Sequence, residues 1–80
     1  MATTGERLKQ ARRHTGWRQT DLAQAANVGI ATVRRIEQET MDPRLSTARR
    51  IADALGIHVE WLLFGVGVMT DKHNDEGGSP

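Results

Sequence analysis

The chain has 80 residues and no cysteine, so it suffices for one small domain and excludes a disulfide or a thiolate metal site. No apolar run is long enough to span a bilayer and the N-terminus lacks a signal-peptide core, so the expectation is a cytoplasmic protein with no membrane partner. Net charge is +1, but residues 1–35 hold seven Lys/Arg against two acids and residues 36–80 hold four against eight. That asymmetry suits a surface that meets a polyanion, or is a plain solvated charged face.

Thr3 or Thr4 offers an N-cap for a first helix over about residues 5–14. Leu8, Ala11, Arg12 and Thr15 share one stripe at helical spacing, with Arg12 its odd member. Gly16 is a natural stop, and Trp17 is expected in the angle between the first two helices. A second helix covers residues 19–26, with Leu22, Ala23 and Ala26 on one face and Arg18, a poor capper, before it. Asn27-Val28-Gly29 makes a tight corner. Asn27 tolerates the left-handed conformation that ends a helix, and Gly29 can start the next, over residues 30–38. Val33 and Ile36 face inward from that third helix, and small Ala23 stands where two crossing helices come close. Together this is a helix-turn-helix.

Pro43 pushes Asp42 out of the helical region, so residues 39–43 form a loop. A fourth helix over residues 45–55 carries Leu45, Ala48, Ile51, Ala52 and Leu55 on one apolar face, and Gly56 ends it. A short fifth helix over residues 59–64, with His58 as its cap, is too apolar to stand in water. Part of it must bury against the domain or against another copy. The expectation is an all-α, five-helix bundle over residues 1–65, with a flexible tail over 66–80.

These residues resemble the Cro/repressor-type helix-turn-helix family of phages and bacteria, also called the XRE type. The likeness is carried by Trp17-Arg18-Gln19, Leu22-Ala23, Asn27-Val28, Thr32-Val33, Arg35-Ile36-Glu37, Pro43, Ile51-Ala52, Ala54-Leu55-Gly56 and Glu60-Trp61-Leu62-Leu63, across about residues 6–65. The run from Glu60 to Gly65 looks like the end of a phage repressor's DNA-binding domain, and the expectation is a small stand-alone regulator of the Cro-like kind. The resemblance implies a lambda-repressor-like bundle that binds double-stranded DNA as a homodimer, with the third helix in the major groove. The chain departs from the family pattern at Arg18, Asn27 and Gly29. It also places Ile30 and Ala31 where polar residues usually begin the recognition helix.

Carried over residue by residue, the resemblance implies a phosphate contact for Gln19, which a helix N-terminus favours. Arg35 matches a base-reading position, best used as a fork on guanine. Arg34 goes to phosphate or to a base at the half-site edge. Thr32 can bond a base or phosphate. Ile30 and Ala31 can touch a thymine methyl, or Ile30 can pack inward. Arg44 matches a loop along the DNA backbone, which Arg18 can join. Arg12 and Glu37 match a structural ion pair between the first and third helices. Val59, Trp61 and Phe64 are expected at the dimer interface, with Leu62 inside and Trp61 shared between core and seam.

His14, His58 and His73 are scattered, with no metal-ligand or triad spacing, so no enzyme, cofactor or small-molecule substrate is expected. The leading expectation is a sequence-specific transcriptional regulator, a repressor on an inverted-repeat operator. The alternative is an antitoxin or anti-regulator whose main partner is a protein.

Overall fold

The computed structural model describes residues 2–71, and among them the chain forms five helices and no strand. They are α1 (Thr4–Thr15), α2 (Gln19–Ala26), α3 (Ile30–Glu37), α4 (Leu45–Leu55) and α5 (Val59–Phe64). None is long and apolar enough to cross a membrane.

Each helix has a local reason to begin and end. Thr3 caps α1: its hydroxyl accepts the Glu6 N–H at 3.1 Å, and the Glu6 carboxylate accepts the Thr3 N–H at 3.0 Å. Arg18 has no acceptor to cap α2, so Asp21 works from inside the helix and accepts the Arg18 N–H at 2.9 Å. Four helix ends share one device, a left-handed residue followed by a bond back across six residues. Trp17 N–H reaches Arg12 O, Val28 N–H reaches Ala23 O, Thr40 N–H reaches Arg35 O, and Ile57 N–H reaches Ala52 O, all at 3.0–3.1 Å. The left-handed residues are Gly16, Asn27, Glu39 and Gly56. Glu39 was not foreseen. Its φ of 64° is strained for a side chain with a Cβ, and it shortens α3 by one residue from the expected end.

The core gathers one stripe from every helix. Leu8, Leu22, Val33, Ile36, Ile51 and Leu62 are its largest fully buried members. Each removes enough apolar surface from water to contribute about 1.5–3 kcal/mol. Leu45 departs from its expected inward place and is 52 % exposed, because it begins α4 before the helix meets the core. Trp17 is half-buried against the core, as are Trp61 and Val59.

The chain after α5 does not leave the domain at once. His58 gives no side-chain cap to α5. Its backbone N–H donates to Met69 O at 2.8 Å, and its ring Nε2 lies 3.0 Å from Asp71 Oδ1. Met69 is half-buried against the core. Residues 66–71, expected in the tail, are therefore fastened to the head of α5, while residues 72–80 lie outside the described residues.

A Cβ on buried Gly5 would collide with the Ile36 carbonyl oxygen and press on Glu37 O, so α1 crosses the end of α3 only without a side chain there. Gly5→Ala should lower stability in urea unfolding by about 1–3 kcal/mol, despite alanine's better helix propensity. The His58 pKa is raised above its ordinary 6.5 by the hydrogen bond to Asp71, then by that carboxylate's charge, with Glu60 adding and burial opposing. The pair's contribution is therefore complete below the unfolded value and is lost as pH rises through the raised folded one. Asp71→Asn should move the His58 midpoint downward in an NMR titration.

Candidate nucleic-acid interface

The site is built on a carboxylate that has left water. Glu37 ends α3 on its inward face and is 3 % exposed. Its Oε2 accepts Arg12 Nε at 2.7 Å, and its Oε1 accepts Arg12 Nη2 at 3.0 Å, a forked pairing. The third guanidinium nitrogen, Arg12 Nη1, donates to Trp17 O at 2.8 Å. Oε1 also accepts the Gln19 side-chain Nε2 at 3.0 Å. One carboxylate thus joins α1, the first residue of α2 and α3, with the α1–α2 turn held through Arg12. Among the described residues no buried side-chain nitrogen or oxygen lacks a partner.

Gln19 is accordingly placed differently from a plain exposed donor. It is half-buried, and one of its amide N–H groups is directed at Glu37 rather than outward. The amide keeps a second N–H, and the first-turn backbone N–H groups of α2 have no intrahelical acceptor. An anion at the head of α2 would meet these donors and the positive end of the helix dipole.

The burial of Val33, Ile36 and Glu37 fixes which way α3 turns. Ala31, Arg34 and Arg35, spaced i, i+3, i+4, form the opposite stripe and are exposed. Ile30 and Thr32 flank that stripe and are half-buried, with Ile30 packed in part against the core. Of the two uses open to Ile30, inward packing takes part of its surface. Gln38 continues the outward stripe one turn past Arg34 and is exposed. Its spacing of seven residues from Ala31 puts it on that face in the sequence as well.

Arg18 is exposed at the head of α2, and Arg44 is exposed at the head of α4, on a separate element. Among the described residues the guanidiniums of Arg18, Arg34, Arg35 and Arg44 have no protein partner. Val59 and Trp61 are half-buried, Leu62 is buried, and Phe64 is 72 % exposed at the end of α5. Val66 and Val68, beyond it, are exposed as well.

A helix-turn-helix family model matches residues 8–62. The chain is 39 % identical over 57 residues to the immunity repressor protein of Bacillus phage phi105, covering 71 % of this chain and 40 % of that protein. It is 34 % identical over 67 residues to the HTH-type transcriptional regulator DdrOP3 of Deinococcus deserti, covering 84 % and 52 %. Against the HTH-type transcriptional regulator YqaF of Bacillus subtilis it is 33 % identical over 70 residues, covering 86 % and 90 %. The chain therefore spans about half or less of the first two relatives and most of the third. The fold is that of the P22 c2 repressor protein, solved in complex with a synthetic operator. The two superpose with a TM-score of 0.77 at 23 % identity, over 81 % of this chain and 98 % of that one.

Removing one member of the buried pair leaves the other charged and unpaired away from water. Glu37→Ala or Arg12→Ala should each cost about 3–5 kcal/mol in denaturant unfolding. The double replacement Arg12→Met with Glu37→Leu should cost less than the sum of the single ones.

Proposed function

Since the chain belongs to the helix-turn-helix family, whose model spans residues 8–62, we propose that it is a DNA-binding transcriptional repressor. It binds an inverted-repeat operator as a homodimer, with α3 in the major groove. The observation that carries this reading is the outward stripe of α3. Two adjacent arginines without protein partners stand on a helix whose other face is locked by core residues and a buried ion pair. A rigid basic helix is what groove reading needs, because a base contact misplaced by an ångström loses its hydrogen bonds. The repressor and transcriptional regulators among the relatives support the DNA reading over one in which a protein is the main partner.

Arg35 forks to guanine O6 and N7. Arg34, about 100° further round the helix, turns to a phosphate or an edge base. Ala31 and the exposed part of Ile30 meet thymine methyls, and Thr32 bonds a neighbouring base or phosphate. Gln19, Arg18 and Arg44 neutralise or bond the backbone on either side and set the register of α3. Val59, Trp61 and Phe64 form the seam between the two copies. The second copy doubles these contacts and brings two α3 helices about 34 Å apart, one turn of DNA.

Fluorescence anisotropy with labelled duplexes over a salt series tests this. Affinity should fall steeply with salt, with a slope near −0.9 for each phosphate neutralised. Arg35→Ala should cost about 1–3 kcal/mol on the preferred duplex and relax the choice of base at one position per half-site. Arg44→Ala should weaken all sequences alike and reduce the slope by about 0.9 per protomer. Binding to no duplex at low salt would contradict the proposal.

A further inference from the structure

Arg7 lies in the basic half of the chain, where the simplest use of an arginine is a phosphate. Its partners lie inside the protein. Its Nε donates to Leu62 O at 2.9 Å, its Nη2 to Leu63 O at 3.0 Å, and its Nη1 to Ala2 O at 2.7 Å. Thr4 Oγ1 adds a second donor to Leu63 O at 3.2 Å. The last carbonyls of a helix have no intrahelical partner and carry its negative end. A guanidinium with parallel donors answers both needs at once.

We propose that Arg7 is the positioning residue of the dimer face. It holds the last two peptide units before Phe64, and so sets the direction in which Trp61 and Phe64 meet the second copy. The inference rests on the dimer reading given above.

Three features carry it. First, α5 has six residues, too few to hold itself in water, so its order comes from tertiary contacts. Leu62 anchors its inner side, and Arg7 is the charged group that closes its far end. Second, a peptide unit is planar, so fixing the Leu63 carbonyl fixes the amide from which Phe64 leaves. Among the described residues Phe64 is the most exposed of the large apolar side chains. Third, Gly65 follows with φ 70°, its N–H bonded to Trp61 O at 2.9 Å, and a Cβ there would stand 3.1 Å from Arg7 Nη1. The end of α5 and the guanidinium are thus fitted to one another. The same contacts keep Arg7 away from a phosphate, so it adds nothing to the salt slope.

The test compares the full chain with Arg7→Ala and Arg7→Lys by sedimentation equilibrium and by binding to duplexes bearing one half-site or two. Loss of charge-assisted bonds should weaken self-association of Arg7→Ala about tenfold or more. The preference for correctly spaced half-sites should fall with it. The salt slope on a single half-site should stay as it was. Arg7→Lys keeps the charge but cannot fork, and should restore only part of the association. Hydrogen exchange should show faster exchange at Leu62 and Gly65 in Arg7→Ala, with Leu22 and Ile36 unchanged. A single-half-site slope reduced by about 0.9, with association unchanged, would make Arg7 a phosphate contact and overturn the inference. Faster α5 exchange without any change in association would overturn it as well. An unaltered chain that stays monomeric both free and on DNA would instead overturn the dimer reading itself.

Discussion

Glu37 carries its charge on the inward face of α3, and that position obliges other segments to come to it. Arg12 arrives from α1 with a fork and Gln19 arrives from the head of α2. The turn between those helices is drawn in through Trp17 O. Apolar side chains in place of the whole Arg12–Glu37 pair could fill the space at little loss of stability. They would not specify how far α3 is rotated about its own axis. The carboxylate does, because its two oxygens and three donors agree in only one arrangement. That rotation decides that Ala31, Arg34 and Arg35 face out.

Two arginines of the basic half are used inside the molecule, and both act on helix geometry. Arg12 orients α3 through Glu37, and Arg7 binds the carbonyl end of α5. Arg18 and Arg44 at the heads of α2 and α4, and Arg34 and Arg35 along α3, are exposed without protein partners among the described residues and so available to a polyanion. Net charge near zero is therefore no obstacle to binding DNA. What matters is which charges already have partners and which stand exposed without one.

Most of the scaffold was legible because local chemistry and periodicity agreed. The ends of α2, α4 and α5 fall where Asn27, Gly56 and Gly65 put them, and the apolar spacing of Ala48, Ile51, Ala52 and Leu55 matches the buried face of α4. Leu45 shares that spacing but stays exposed, since periodicity gives a side and not the point where a helix enters the core. Glu39 hid its left-handed conformation because nothing in a glutamate announces it. The family resemblance suggested that Arg12 and Glu37 belong together. It did not suggest that Gln19 joins them, because an amide's partner depends on a distance between helices that no spacing encodes. Arg7 was missed for the same reason, since the acceptors that tie it to α5 are backbone carbonyls 55 and 56 residues along the chain. The segment 66–71 looked like a tail by composition, and it is held by a backbone bond to His58 that composition cannot register.

On the proposed reading, this rigid frame presents two copies of one outward stripe to two successive major grooves. Selection of bound sequences from a random duplex pool by the full chain addresses it most directly. An inverted repeat should be enriched, with half-site centres one helical turn apart, near 34 Å, and a fixed guanine in each half. Enrichment of single sites without two-fold symmetry, or no enrichment at all, would contradict it.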